Sequence, residues 1–478
     1  MLASAANSDA DKSAIKHGME RRMRKTERTL DELYRDDPER ADAVVFGRRA
    51  DATRRGFLNG AGLAAMGAAV GSAIPFSGSM PAGLVPAAMA QGAPAAAPAG
   101  GGQAPAAAPK GPQPLDFPGK ERGLVVLGDR PLVAETPEHL LDDDTTPTPK
   151  FFVRNNGQIP EAAANADGWK IVVDGEVNTT LELTLAELKS RFPQKTYRMV
   201  LECGGNGRSA FQPQARGNQW TNGGAGCAEW TGVPLADVLK AAGLKSSAVY
   251  TGHYGTDPHL SGDTTKESIS RGMPIAKAME EHNLIVFAMN GEPLPNIHGG
   301  PVRLVVPGWP GSLSHKWLNR ITLRDKEHDG SGMTGTSYRV PISPMIPGGK
   351  VDEKNFRILE SMPVRGIITS PANGARLAAG TRELPLRGAA WAGDLTVSRV
   401  DVSTDFGATW SQATVSAPKN RYDWHRWTAK VPVPSDGYYE VWVRATDSNG
   451  RMQPHVAGGW NPQGYGGNAM HRIAVLVG

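Results

Sequence analysis

Leu201-Glu202-Cys203-Gly204-Gly205-Asn206-Gly207-Arg208 is the segment from which this chain is best read. Tyr197 to Leu201, just before it, has the apolar character of a short strand. A cysteine at the end of a strand, followed by two glycines, can present its sulfur where a bulky group approaches the backbone. A thiolate is a soft donor suited to a redox metal. Taken alone, Cys203 reads more readily as a buried small hydrophobe. It also reads as half of a disulfide with Cys227, the only other cysteine.

Working outward, the flanks mix helix and strand signals. Thr184-Leu185-Ala186-Glu187 is a capping box, in which a hydroxyl and a carboxylate satisfy free N–H groups at a helix start. Pro193 stops that helix. A second helix opens at Pro234, carries Leu235, Val238, Leu239 and Ala242 at helical spacing, and ends at Gly243. Leu284 to Met289 and Val302 to Val306 read as short buried strands. From about residue 346 the pattern changes to alternation. Arg399 to Ser403 and Tyr439 to Ala445 alternate polar and apolar residues, and Asp405-Phe406-Gly407-Ala408 supplies a turn before a return strand from Thr409. Such spacing predicts a β-sandwich. The fold class is therefore α+β: a mixed α/β domain over 115–345 and an Ig-like sandwich over 346–478. Trp410, Tyr422, Trp424, Trp427, Tyr438, Tyr439 and Trp442 supply that sandwich with aromatics, either for a subunit interface or for its own interior.

Towards the N-terminus, Thr53-Arg54-Arg55-Gly56-Phe57-Leu58 precedes an apolar run from Ala61 to Ile74, which is too short for a membrane span. Ala88-Met89-Ala90 follows as a small-x-small cleavage pattern. Residues 1–90 thus read as a leader with a twin-arginine signal, which exports folded proteins to the periplasm. No membrane span is expected once it is removed. Residues 91–114, nearly all Ala, Pro, Gly and Gln, read as a linker. The net charge is +4, and outside residues 1–90 basic and acidic residues number 39 and 37, so nothing argues for nucleic acid. Two cysteines exclude a disulfide scaffold, and without a Cys-x-x-Cys-His motif no c-type haem is expected on this chain.

Several further blocks give Cys203 its context. Phe152-Val153-Arg154-Asn155-Asn156 lies before it. Gln219 to Ala225, His298-Gly299-Gly300-Pro301-Val302-Arg303, Ser314-His315-Lys316-Trp317-Leu318 and Tyr338 lie after it. In content and order these blocks resemble the sulfite oxidase family of molybdopterin enzymes, from about residue 120 to the C-terminus. The resemblance implies that Cys203 ligates molybdenum. It implies that Asn155, Asn156, His298, Arg303, Ser314 and Lys316 bind the molybdopterin cofactor. Arg154, Arg208 and Tyr338 are implied as catalytic residues, the arginines attracting an anionic sulfur group and the tyrosine bonding or passing a proton. Chemistry agrees: a dianionic phosphate needs cationic donors, and an arginine inside an apolar strand such as Arg303 needs an anionic partner.

Two features depart from the family pattern. Trp460-Asn461-Pro462-Gln463-Gly464 has Gln463 where sulfite enzymes carry a further arginine. The acidic pterin contact expected before the histidine block has no secure counterpart in Gly252-His253-Tyr254-Gly255-Thr256-Asp257. Within the family, Val126 to Pro131, Leu140 to Asp144 and Gln214 to Asn218 most resemble the molybdenum subunit of sulfane dehydrogenase. That implies oxidation of a sulfane sulfur on a cysteine of a carrier protein during thiosulfate oxidation. It also implies electron transfer to a cytochrome c subunit, and a dimer of molybdenum subunits within a heterotetramer. A sulfite dehydrogenase is the alternative with the same chemistry. A secreted, non-enzymatic Ig-like binding protein is the alternative of another class.

Overall fold

Lys195–Glu202 runs along one edge of an antiparallel sheet and delivers Cys203 at its end. The computed structural model describes residues 113–478. Next to that edge lies Ala225–Pro234, then Leu284–Met289, which also pairs with Glu292–Pro293 and Arg303–Val305. A second sheet has the order Leu181–Thr184, Lys170–Gly175, Leu318–Arg324, Tyr250–Gly255, its middle pair parallel. A third sheet contains Val125–Asp129, Leu132–Glu135 and Val153–Arg154, and its last strand brings Arg154 to the site.

Helices are few and short. The capping box forms as read: the Thr184 hydroxyl accepts from the Glu187 N–H at 3.2 Å, and the Glu187 carboxylate accepts from the Thr184 N–H at 2.8 Å. The helix Leu185–Arg191 then ends as Phe192, held extended before Pro193, leaves the helical region. Leu235–Ala242 starts one residue after Pro234 and ends at Gly243, whose φ is +70°. Leu185, Leu188, Leu235, Val238 and Leu239 bury their side chains in one core with Ile171, Ile285, Leu304 and Ile321.

The C-terminal part is a sandwich. One sheet has the order Arg365–Ser370, Glu383–Trp391, His425–Pro432, Thr414–Val415. The other has Ala375–Leu377, His471–Val477, Gly437–Asp447, Val397–Ser403, Ser411–Gln412. Val441, Val443 and Ala445 point inward against Val400, Val402, Trp427 and Ile473, as their alternation requires. The return strand after the 405–408 turn is only two residues long. The seven aromatics divide. Trp427 fills the sandwich, while Tyr422 and Trp424 are buried in clusters with residues of the preceding domain. Tyr438 is exposed, and Trp410 lies under the Arg444 guanidinium, 4.0 Å from ring centre to guanidinium.

Buried polar contacts join the two parts. Arg198 makes two hydrogen bonds to the Asp423 carboxylate, at 2.9 and 2.7 Å. Lys277 reaches Asp394 at 2.7 Å and the Tyr422 hydroxyl at 3.0 Å. The predicted leader and nearly all of the predicted linker lie outside the described residues. Gln113 and Pro114, read as the end of the linker, pair instead with Val126 and Val125. Among the described residues no helix is long and apolar enough to cross a membrane.

Candidate active site

Strand register settles how the two cysteines relate. Val200 faces Cys227, Leu201 faces Gly226 and Glu202 faces Ala225. Cys203 therefore comes opposite Gly224, and its N–H donates to the Gly224 carbonyl at 2.8 Å. Alternation turns Met199, Leu201 and Cys203 to one face and Val200 and Cys227 to the other. At ~3.3 Å per residue the two cysteines are about 10 Å apart along the ladder and point in opposite directions. A disulfide requires Cα atoms within about 7 Å, so the pairing weighed from sequence does not form; both thiols are free. The Cys227 thiol donates to Asp423 at 3.3 Å, and burial pushes it well above the usual cysteine range.

Beyond Cys203 the chain turns tightly. Asn206 donates its N–H to the Cys203 carbonyl at 2.9 Å. Gly207 adopts φ +79°, a conformation that a side chain would strain. Gly205 is also constrained, because a Cβ there would come within 2.3 Å of the Arg208 guanidinium.

Cys203 borders a narrow cavity. Around it the fold assembles Arg154, Asn155, Asn156, His298, Arg303, Ser314, Lys316 and Tyr338, which is every residue nominated from sequence except Arg208. Arg208 is buried beside it, but the turn after Gly207 directs its side chain backwards. Its Nε donates to the Gln463 carbonyl at 2.7 Å and its Nη1 to the Asn218 carbonyl at 2.8 Å. Its guanidinium also packs over the Tyr465 ring. In this structure Arg208 holds the C-terminal segment against the cysteine loop.

Electrostatically the cavity is short of anions. Arg303 is fully buried and donates only to carbonyls, those of His298 at 2.8 Å and Ser314 at 2.7 Å, besides a longer contact to Leu304. Burial alone pulls it down to about 9. Lys316 donates to the Asn155 side-chain oxygen and the Ile297 carbonyl, both at 2.6 Å, and burial takes it well below the ordinary lysine value. Lys120 donates to the carbonyls of Thr148 at 2.7 Å and Phe151 at 2.5 Å and lies 3.0 Å from the His298 ring nitrogen; burial lowers it to about 7. His298 is pushed down by burial and then by these cations, so it is neutral. His315 also borders the cavity, is lowered to about 3 by burial, and has no partner for either ring nitrogen. Asp257 is the one carboxylate on the wall, and its own burial raises it.

Buried cations without counterions are costly, and a bound dianion would relieve them. Among the described residues no group of three or more His, Cys, Asp or Glu side chains could hold a metal ion by itself. A metal at Cys203 must therefore bring most of its ligands with it. One soft thiolate beside a set of uncompensated phosphate-seeking cations and unpartnered imidazole nitrogens fits an anionic, metal-carrying cofactor.

Sequence reasoning missed Lys120, His315 and Arg271. It also left the stretch containing Asp257 unaligned. Only Asp257 had a signal, being an acid in the region where one was sought. Lys120 lies in no motif and reaches His298 across 178 residues. Arg271 is fully buried behind Tyr338 and carries no carboxylate partner, with Nε and one terminal nitrogen unbonded.

Comparison with known proteins gives the class first. Residues 156–331 match the oxidoreductase molybdopterin binding domain, and residues 357–478 match the Mo-co oxidoreductase dimerisation domain. Mitochondrial sulfite oxidase of Homo sapiens is 35% identical over 378 residues, covering 76% of this chain and 67% of that protein. Sulfite oxidase of Gallus gallus is 36% identical over 74% of this chain and 78% of its own length. The crystal structure of the sulfane dehydrogenase SoxCD from Paracoccus pantotrophus superposes with a TM-score of 0.61 at 27% identity, covering 78% of this chain and 92% of that one. The chain belongs to the sulfite oxidase family of molybdopterin oxidoreductases.

Proposed function

We propose that this chain oxidises a sulfane sulfur held on a cysteine of a carrier protein and passes the electrons to a separate cytochrome c subunit. Gln463 carries the preference for sulfane sulfur over free sulfite. Its side chain bonds Thr336 at 3.3 Å and borders a wide cleft rather than the Cys203 cavity. A compact dianion such as sulfite would gain from a cation at position 463 itself, where the side chain is a neutral amide. The cleft includes Arg216, Trp460 and Val351 in its walls. Ile342 and Ile346 stand exposed on the neighbouring loop. Exposed apolar side chains beside a groove suit a protein-borne substrate better than a small ion. The likeness to the sulfane dehydrogenase SoxCD supports the same reading.

When bound, the molybdenum cofactor supplies a two-electron redox centre for oxygen transfer to sulfur. In this reading Cys203 ligates the metal, while Arg303, Lys316, Ser314 and His298 bind the pterin phosphate and Asn155 orients Lys316. Tyr338 and Arg154 face the reacting sulfur. The C-terminal region dimerises, as the matched domain's description suggests. Export by the twin-arginine route places the folded enzyme in the periplasm.

Sulfite dehydrogenation is the second reading, favoured by the 35–36% identity to proteins named sulfite oxidase. Steady-state cytochrome c reduction with a persulfidated carrier protein and with free sulfite separates the two. Turnover on the carrier with little on sulfite is expected. Efficient turnover on sulfite alone would move the assignment to the second reading, and protein without molybdenum from a cofactor-competent host would remove both.

A further inference from the structure

We propose that Arg365, supplied by the first strand of the sandwich, is a positioning residue that sets the direction in which Cys203 presents its sulfur. This rests on the reading of Cys203 as the metal ligand. The Arg365 side chain is 1% exposed, and its donors fan out over the cysteine loop. Nε donates to the Glu202 carboxylate at 2.8 Å, Nη1 to the Asn222 side-chain oxygen at 3.1 Å, and Nη2 to the Asn206 carbonyl at 3.0 Å. Nη2 also donates to the Gly467 carbonyl.

Two of these acceptors, Glu202 and Asn206, are tied to Cys203. The Glu202 oxygen bonded by Arg365 also accepts from the Asn206 side-chain amide at 3.0 Å, and the other oxygen accepts from Trp391 Nε1 at 2.7 Å. The Asn206 side-chain oxygen accepts from the Gly224 N–H at 3.0 Å, and the Gly224 carbonyl accepts from the Cys203 N–H. The Cys203 carbonyl accepts from Asn206. A closed ring of bonds thus grips the backbone on both sides of Cys203. Arg365 and Trp391 are register partners in adjacent strands, so both bonds to Glu202 come from one patch of the sandwich.

An ion pair that only docked the sandwich would need none of this. Arg198 and Asp423 join the two parts with a plain two-bond fork. Arg365 instead bonds residues on both sides of the cysteine, Glu202 before it and Asn206 after it. A flat guanidinium can bond a carboxylate and a carbonyl at fixed angles; a lysine ammonium cannot reproduce that fork. Ligand placement within about 0.5 Å decides whether a metal site is productive, so a residue that never touches the metal can still govern it.

The test uses the full-length holoenzyme and the chain's own two thiols. Molybdenum content and maleimide labelling are followed over time in wild type, Arg365→Gln and Arg365→Lys. Cys227, fully buried on the opposite face of the ladder, reports global opening. Arg365→Gln is expected to lose molybdenum at least fivefold faster and to label at Cys203 at least tenfold faster, with Cys227 still protected. Arg365→Lys should recover part of the difference. Joint labelling of both cysteines, or unchanged labelling of Cys203, overturns the proposal. If Arg365→Gln does not fold, Trp391→Phe, which removes one donor to Glu202, carries the same comparison. Wild-type protein that holds no molybdenum would sink the enzyme reading, and the labelling contrast would still decide the role of Arg365 in the loop.

Discussion

The guanidinium of Arg271 lies 4.5 Å from the centre of the Tyr338 ring, and Tyr338 holds its backbone at φ +49°. A left-handed tyrosine costs on the order of 1–3 kcal/mol. On its other side the ring stacks on Tyr465, with centroids 4.8 Å apart. A desolvated cation–π contact contributes about 2 kcal/mol, enough to offset much of the strain. Arg271 is itself uncomfortable, lowered to about 10 chiefly by burial. Arg271→Met should therefore leave stability within about 2 kcal/mol of wild type, since lost attraction and relieved burial cancel. Turnover should fall by about tenfold as Tyr338 is released. Unchanged kcat with an unchanged melting temperature would show that Tyr338 needs no such support.

The two cysteines should separate stability from chemistry. Cys203→Ser is expected to abolish molybdenum-dependent turnover with little change in melting temperature, because a hydroxyl is a poor substitute for a soft thiolate. Cys227→Ala should cost about 1–3 kcal/mol by opening a small cavity and leaving Asp423 without the thiol, while activity per molybdenum is retained. Differential scanning calorimetry with activity normalised to metal checks both. Equal activity loss in the two variants would contradict the separation.

Acidity should matter most when the cofactor is absent. Lys120 and Arg303 sit at about 7 and 9, Lys316 is also lowered, and His298 and His315 lie below the normal histidine value. All are bases whose folded values lie below their unfolded ones, so the unfolded chain binds more protons. Glu135 and Asp257, whose carboxyls burial raises, oppose this below about pH 7, so stability of the cofactor-free protein should rise chiefly from about 7 towards 10. Each group contributes up to about 1.4 kcal/mol per pH unit across its own interval. A bound dianion reverses the penalty and should flatten the upper limb. Melting temperatures from pH 5 to 9, with and without cofactor, measure it; a cofactor-free protein that loses stability from pH 7 to 9 would refute the account.

Substrate choice can be probed at one position. Gln463→Arg would place a cation beside Thr336 at the edge of the cleft. KM for free sulfite should fall by about tenfold, a charge-assisted bond being worth roughly 1.5–3 kcal/mol. Turnover with a carrier-bound substrate should fall. An unaltered KM for sulfite would mean that the glutamine does not govern preference.

Local chemistry was legible in the sequence and long-range chemistry was not. The capping box at Thr184 and Glu187, the Leu284–Met289 strand and the inward face of Val441, Val443 and Ala445 follow from neighbours in the chain. The residues that meet around Cys203 were legible because their blocks carry motif text. Arg208 had the motif position, but nothing local shows that Gly207 turns its side chain towards Gln463. Lys120, Arg271 and Arg365 had no motif at all; each acts on a residue brought near by sheet topology. The aromatics of the sandwich show the same limit. Composition could not tell that Tyr422 and Trp424 face the preceding domain while Tyr438 stays exposed.

Arg208 and Gln463, whose side chain and carbonyl close the back of the cysteine loop, are 255 residues apart. At about 5–20 residues per second, a ribosome needs tens of seconds to travel between them. During that interval the Cys203 turn exists without the segment that braces it. The cysteine loop is thus braced only after synthesis has passed the far strand pairs of the sandwich. Maturation becomes a matter of timing: a cofactor arriving early meets a half-built receptacle, and one arriving after release meets a finished one.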